Sequence, residues 1–252
     1  MSDYPAELYV PLHVGTPGDL AYYRRRCADA TSVLELGCGH GRVLLELAAP
    51  GRFLVGLDHH QGLLALARRR QAALPPELVD TVLLLDEDMR SFALPQRFDR
   101  IIIPHSGLFC LLTDDDVRAC FARARRHLLP GGLLLLDVYN PTAFHEECVP
   151  EDLAEDELVP VGRITTEAGR EFSVLERSVW RREEQFIHAT YVYRERPDDP
   201  GIEASIPQRY MLMHQMLEHL QAEGFSVDAV FGGFAGEGLE GAETLVIEAR
   251  PA

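Results

Sequence analysis

"VLELGCGHGRVLLEL", Val33 to Leu47, sets three glycines in five positions between two apolar runs. Val33–Leu36 has the composition of a buried strand, and the run after the glycines is apolar enough to pack behind it. Glycine is used where the chain must pass through positive φ, or where another group comes close to the backbone. A bare turn at a strand end therefore predicts a ligand lying on Gly37, Gly39 and Gly41. The rest of the chain must say which ligand.

Outward from this turn, strand-like and helix-like segments alternate from Ser32 to Tyr139, the pattern of a parallel sheet covered on both faces. Strands are predicted at 32–36, 52–58, 81–86, 97–104 and 132–139, with helices at 41–49, 60–73 and 114–128. Pro130 and the glycines after it stop the last helix. Upstream, "TPGDLAYYRRRCAD" reads as a helix with Thr16 as its cap and Pro17 at the first helical position. After Tyr139 the character changes. "EECVPEDLAEDELVP" (146–160) is acidic and loop-like, and 162–169, 170–182 and 185–196 are β-rich, with a tight hairpin before Phe186. "RPDDPG" (196–201) is a turn cluster. A helix over 214–223, ended by Gly224, and strands in "FSVDAVFGGF" and "ETLVIEAR" complete the chain. The reading divides it into an N-terminal lid (1–31), a core (32–141), an antiparallel cap (142–210) and a C-terminal completion of the core (211–252).

The 252 residues are 46% hydrophobic, enough for a packed core. No apolar run approaches the length that spans a bilayer, and "MSDYPAELYVP" lacks the features of a signal peptide. Five cysteines, odd in number and without a CxxC pair, argue against disulfides or structural zinc. The expectation is a cytoplasmic protein without a membrane partner, acting on a small molecule as a monomer or homodimer. A net charge of −16 opposes binding to nucleic acid, and the basic clusters at 67–71 and 123–127 read as solvated helix faces.

Two ligands commonly occupy such a turn: a nicotinamide or flavin dinucleotide, and S-adenosylmethionine. The dinucleotide fingerprint needs glycine at position 42, where this chain has Arg42. Glu35 also places an acid inside the strand before the loop. Asp58 ends the second strand, where a carboxylate accepts from both hydroxyls of a ribose, of either ligand. Asp88 lies just past the third strand, where a carboxylate can accept from an adenine amino group. Taken alone, each is also ordinary turn chemistry. Three acids at three successive strand ends around one glycine loop form a pattern, because ligands of open sheets lie beyond the carboxyl ends of the strands.

"VLELGCGHGR", "GLDHHQGLLALAR", "LLDEDMRSF", the long run from Phe98 to Pro141 and "HLQAEGFSVDAVFG" together resemble a class I S-adenosylmethionine-dependent methyltransferase. The resemblance is strongest to the small-molecule branch with an antiparallel insertion after strand five, which includes amino-sugar and glycine/sarcosine N-methyltransferases. It implies an α/β fold, a doubly wound, mostly parallel seven-stranded sheet of order 3-2-1-4-5-7-6 whose last strand is antiparallel, with an antiparallel β insertion. It implies that Glu35 and the loop Gly37–Cys38–Gly39–His40–Gly41 face the methionine portion, Asp58 the ribose, and Asp88, Met89 and His59 the adenine. Pro104, His105 and Ser106 fall where the family lines the path from sulfonium to substrate. Tyr9 belongs to a segment that folds over the cofactor in relatives.

Methyl transfer is an in-line displacement that mainly needs alignment, and no metal site is expected. An amine or phenol must still lose a proton, and His105 is the candidate base, against a plain packing role. Alternation puts Tyr191 and Tyr193 on one face beside Trp180, as a substrate wall or simply as core. Arg209 could orient an anionic group, and Asn140 is a turn residue at the rim of the substrate pocket. The expected activity is methylation of N or O on a small metabolite. A non-catalytic binding protein and a methyltransferase of peptides are the alternatives.

Overall fold

The structure is a computed structural model that describes residues 4–147 and 157–252. In chain order its elements are α1 (Ala6–Leu12), α2 (Asp19–Arg26), β1 (Ser32–Leu36), β2 (Phe53–Asp58), α3 (Gln61–Ala72), α4 (Pro76–Val79), β3 (Val82–Asp86) and β4 (Phe98–Ile103). There follow α5 (Asp114–His127), β5 (Leu128–Tyr139), α6 (Thr142–Glu147), β6 (Val159–Thr165), β7 (Glu171–Arg181) and β8 (Phe186–Arg194). The last are β9 (Ile202–Arg209), α7 (Met213–Ala222), β10 (Phe225–Phe231) and β11 (Thr244–Pro251). They form two compact units, one of Gly15–Asn140 with Leu212–Ala252, the other of the segment up to Val14 with Pro141–Met211.

The first unit is built on a seven-stranded sheet of order β3-β2-β1-β4-β5-β11-β10. Strands β1 to β5 are parallel and β11 runs antiparallel to both its neighbours, so the expected doubly wound topology is present. Val33, Leu34 and Leu36 of β1 are fully buried, as are Ile101, Ile102 and Ile103 of β4. Strands covered on both faces read as continuous apolar runs, which is why these were recognisable. Helix α3 packs on β2 and β3, and α5 packs on β5 and α7. In α5 the Thr113 hydroxyl caps Asp116 N at 3.1 Å, with Asp114–Asp116 in the first turn and Arg125, Arg126 and His127 in the last. That charge order matches the helix dipole.

Two expected helices differ. Over 41–49 there is only one 3₁₀ turn, Leu44–Leu47. Pro50 bars Ala49 from helical ψ, and three of the four turn residues are buried leucines with no solvent face to offer. The N-terminal helix starts at Asp19 behind Gly18, which sits at φ +94°, so Thr16 is not its cap and Pro17 precedes it. Asp19 closes the turn instead, its carboxylate accepting from Thr16 N at 3.2 Å.

The second unit holds an antiparallel sheet of order β6-β7-β8-β9, with a tight turn at Gln185 (φ +53°) joining β7 to β8. Strand β9 was not expected, because Pro207 interrupts its pattern. It is the edge strand, where a missing N–H costs nothing. Helix α1 supplies Leu8, which joins Tyr4, Ile164, Phe172, Val174, Tyr193, Ala204 and Ile206 in this unit's core. Most of the acidic segment 146–160, with Cys148, lies outside the described residues.

Candidate functional site

The glycine turn leaves β1 with Gly37, Gly39 and Gly41 all at positive φ, +74°, +53° and +74°. No other residue type adopts three such angles in five positions without strain. The turn is tied to β2, since Gly37 N and Cys38 N both donate to Leu57 O at 2.9 Å. A side chain at Gly56 would meet Leu44 at 2.6 Å and the Cys38 sulfur at 2.8 Å, so that glycine, missed in the sequence, is what admits the turn. Above Gly37 there is room. A Cβ there would meet only the tip of Met89, at 3.4 Å, and one at Gly39 only Leu63, at 3.8 Å.

Asp58 joins the two loops. Its Oδ2 accepts from Gly39 N at 2.7 Å and its Oδ1 from His60 N at 2.8 Å. A carboxylate offers about four acceptor directions, so both oxygens keep capacity toward a ligand. His60 is buried and caps α3, its Nδ1 accepting from Leu63 N at 3.1 Å, while His59 is exposed. Asp88 is gripped by Arg90, whose Nη2 donates at 2.6 Å and whose backbone N donates at 2.8 Å. Arg90 bridges onward to Asp116 at 2.9 Å. The Arg90 hydrogen bonds hold the Asp88 carboxyl below its usual range, with His59 adding to the effect. Arg90 was not singled out in the sequence, although its two-residue offset from Asp88 is a turn spacing.

Glu35 is 3% exposed, and its Oε2 has no hydrogen-bond partner among the described residues. Burial pushes its carboxyl well up, opposed by Arg42 and reinforced by the charges of Asp58 and Asp137. Arg42 is itself paired with buried Asp19 at 2.6 Å. This explains the residue that breaks the dinucleotide spacing: it locks the glycine turn to α2. Arg42 thus pairs with Asp19 while its charge also acts on the buried Glu35 and Asp137, so three acids share one arginine.

Pro104, His105 and Ser106 leave the end of β4. His105 and Ser106 both lie in the left-handed region, at φ +54° and +56°. Non-glycine residues held there in succession are strained, and strain of this kind gathers at functional sites. Asp137 of β5, which the sequence reading passed over, enforces the shape. Its Oδ2 accepts from His105 N at 3.0 Å, and its Oδ1 accepts from the Tyr23 hydroxyl at 2.6 Å. Its backbone O accepts from Ser106 N at 2.9 Å. The Ser106 hydroxyl in turn accepts from Tyr139 N at 2.9 Å. Burial pushes the Asp137 carboxyl up to about 6, against the Tyr23 and His105 hydrogen bonds. Burial, with the Arg42 charge second, holds the His105 imidazole below its usual range. Among the described residues no group of three metal-ligating side chains gathers anywhere.

The remaining expected residues lie on other elements. Asn140 is turn chemistry, with its N donating to Glu243 O and its Nδ2 to Ala242 O, both at 2.8 Å. In the second unit, Trp180 and Tyr191 do share a sheet face, since Trp180 pairs with Ile187, and Ile187 and Tyr191 alternate on the same side. Arg209 pairs with Phe186 and so lies on the opposite face. The Trp180 Nε1 donates to the Tyr210 hydroxyl at 3.0 Å, and His145 Nδ1 lies 2.9 Å from that same hydroxyl. Tyr9 packs within its own unit, on His13 at 4.3 Å and edge-on to Tyr4 at 5.3 Å.

Residues 33–132 match a methyltransferase domain family. The chain is 30% identical to a dTDP-3-amino-3,6-dideoxy-alpha-D-glucopyranose N,N-dimethyltransferase of Streptomyces fradiae, over 93% of this chain and 88% of that protein. It is 28% identical to a dTDP-3-amino-3,4,6-trideoxy-alpha-D-glucopyranose N,N-dimethyltransferase of Streptomyces venezuelae, over 86% and 84%. The solved structure of the CcbJ methyltransferase of Streptomyces caelestis superposes with a TM-score of 0.80 at 24% identity, covering 100% of this chain and 97% of that one, and supports the fold. No helix among the described residues is long and apolar enough to cross a membrane.

Proposed function

The chain belongs to the S-adenosylmethionine-dependent methyltransferases, and from that premise we propose that it methylates the amine nitrogen of a small amino sugar. One observation carries this reading. The likeness to the Streptomyces fradiae enzyme runs over 93% of the chain, and so takes in the insertion as well as the glycine turn. Nitrogen is the accepting atom in the names of both curated relatives above.

We assign the cofactor to the first unit. The positive-φ glycines and the space above Gly37 and Gly39 suit a close-lying chain of atoms. The unpartnered Glu35 oxygen suits the ammonium of a methionine portion, because a buried acceptor without a donor is costly until a cation reaches it. Asp58 then receives the ribose hydroxyls while holding both loops in place. Asp88, Met89 and His59 frame the adenine, and Cys38, Pro104 and Ser106 border the reactive end. When bound, the cofactor supplies an electrophilic methyl group on a sulfonium.

The chain's own residues orient that group and manage one proton. The Asp137 hydrogen bonds fix the loop that carries His105. His105 is held in its neutral form near pH 7 by burial and by Arg42, and takes the proton that the substrate nitrogen gives up.

The test is direct. The purified protein, given S-adenosylmethionine and dTDP-3-amino-3,6-dideoxy-α-D-glucopyranose, should yield products heavier by one or two methyl groups in mass spectrometry. An unmodified sugar removes the amino-sugar reading. Asp58→Ala should weaken S-adenosylhomocysteine binding at least about tenfold in titration calorimetry, ~1.4 kcal/mol. Unchanged affinity overturns the ribose assignment alone.

A further inference from the structure

Strand β1 carries a buried acid that the first unit leaves without a countercharge of its own. Glu35 is 3% exposed, and its Oε2 has no hydrogen-bond partner among the described residues. Support comes from the backbone of Leu44, which donates to the carboxyl. The cation whose charge reaches it, Arg42, is already committed. Arg42 pairs with Asp19 at 2.6 Å, and its charge acts on Asp137 as well. Gly15 lies over that guanidinium so closely that a Cβ there would come within 2.3 Å of Cζ, so the Arg42–Asp19 pair is boxed in.

The other groups that face Glu35 bring no positive charge. Asp58 at the end of β2 and Asp137 of β5 are acids, and both oppose its ionisation. Tyr23 of α2, Cys27 at the end of α2 and Cys38 of the glycine turn are weak acids, each pushed up mainly by burial and therefore uncharged. An ionised Glu35 would thus lack a donor on one oxygen and a countercharge of its own. A carboxyl so placed takes up a proton, because an unpaired ion out of water is far costlier than a neutral acid. The cofactor offers an alternative. Its methionine portion carries an ammonium, whose ordinary range of about 7.7–8.0 keeps it charged at neutral pH and below.

We propose that Glu35 holds a proton in the free protein and surrenders it to solvent when the ammonium of the cofactor takes its place, so that cofactor loading is coupled to proton release. This rests on the placing of the methionine portion at Glu35 argued above, and adds a pH dependence to it. The exchange balances. The O–H bond of the carboxyl breaks, its proton passes to water or buffer, and the ammonium keeps its own protons and donates a hydrogen bond to the carboxylate. Because the free form holds the extra proton, binding strengthens as pH rises, until the ammonium itself begins to deprotonate.

Titration calorimetry with S-adenosylhomocysteine, repeated in buffers of different ionisation enthalpy, counts the protons. At about pH 6 the wild type should release about one proton per ligand bound, and its affinity should gain about tenfold per pH unit from there toward neutrality. Glu35→Gln imitates the neutral acid but has no proton to give, so its release should vanish and its weaker affinity should stay level with pH. A second ligand keeps the test open should that variant not fold. 5′-Methylthioadenosine has the adenosine and the sulfur but no ammonium, and should bind the wild type without release. S-adenosylhomocysteine binding without proton release, equal release with 5′-methylthioadenosine, or release that persists in Glu35→Gln overturns the role of Glu35 while leaving the chain a cofactor binder. Absence of any S-adenosylhomocysteine binding overturns the cofactor site together with it.

Discussion

Tyr23→Phe removes one oxygen atom and tests the network that holds the His105 loop. Tyr23 is fully buried and Asp137 is 2% exposed, and the hydroxyl donates to the carboxylate at 2.6 Å. The ring can stay where it is, so the loss is the hydrogen bond and not the packing. A bond to a buried ionised group is worth about 1.5–3 kcal/mol. At about 2 kcal/mol, a chain of this size should melt about 4–8 °C lower. The pH dependence makes the test specific. The Asp137 carboxyl is pushed up from 3.8 to about 6 by burial, and the Tyr23 hydrogen bond is the largest effect opposing that rise. An acid raised in the folded state contributes stability that is fully present below about pH 4 and is lost as pH rises through about 6. Without Tyr23 the folded carboxyl rises further, so ionisation at pH 8 costs the variant more than it costs the wild type. At pH 5 the folded carboxyl is mostly protonated in both, and the deficit should shrink to that of a neutral hydrogen bond, about 1 kcal/mol. Scanning calorimetry at the two pH values reads both quantities, and Tyr23→Phe combined with Asp137→Asn should recover part of the loss at pH 8. A deficit that is absent at pH 8, or equal at the two pH values, refutes the account of Asp137 as a buried, ionised hub.

Two further substitutions probe the turn and the loop. Gly41→Ala should cost about 1–3 kcal/mol, because the new Cβ would lie 2.9 Å from Leu45 Cγ and Cδ1 at φ +74°. Thermal melting reads this, and a wild-type melting temperature would mean the turn yields. His105→Ala should lower kcat by about 10²-fold or more, the lower end of general-base contributions, with cofactor affinity kept. In the wild type the acid-side fall of kcat should come at a lower pH than an ordinary histidine base would give, because burial holds the His105 imidazole under its usual range. A variant that retains the wild-type rate returns His105 to packing.

What could be read from the sequence follows from how far apart the interacting groups lie in the chain. Strands β1, β2, β4 and β5 were legible because each buries both faces and spells an apolar run, and edge strand β3 spells one although its Leu83 is exposed; Glu35, Asp58 and Asp88 stood out as acids at the ends of such runs. The three-glycine turn declared its own backbone angles. Where adjacent residues compete, pattern alone fails. Leu44 to Leu47 looks helical until Pro50 and the burial of its three leucines reduce it to one 3₁₀ turn, and β9 was hidden by Pro207, which only an edge strand accepts. Partners distant in sequence leave no local mark. Asp137 reads as one acid in a buried strand, and its hub role exists only because Tyr23, 114 residues earlier, comes to meet it. Arg42 reads as the residue that spoils a fingerprint until Asp19 gives it a partner.

The insertion shows the same limit. Period-two alternation sufficed to put Trp180 and Tyr191 on one face, because that period is a property of each strand taken alone. Glu176 reads as one more charge in "SVLERSVW" until the register sets it opposite Tyr191. The cofactor half is therefore legible through backbone demands that glycine and strand-end acids answer locally. The insertion depends on which side chains meet across neighbouring strands, and a shift of one residue in pairing would turn Glu176 to the other face.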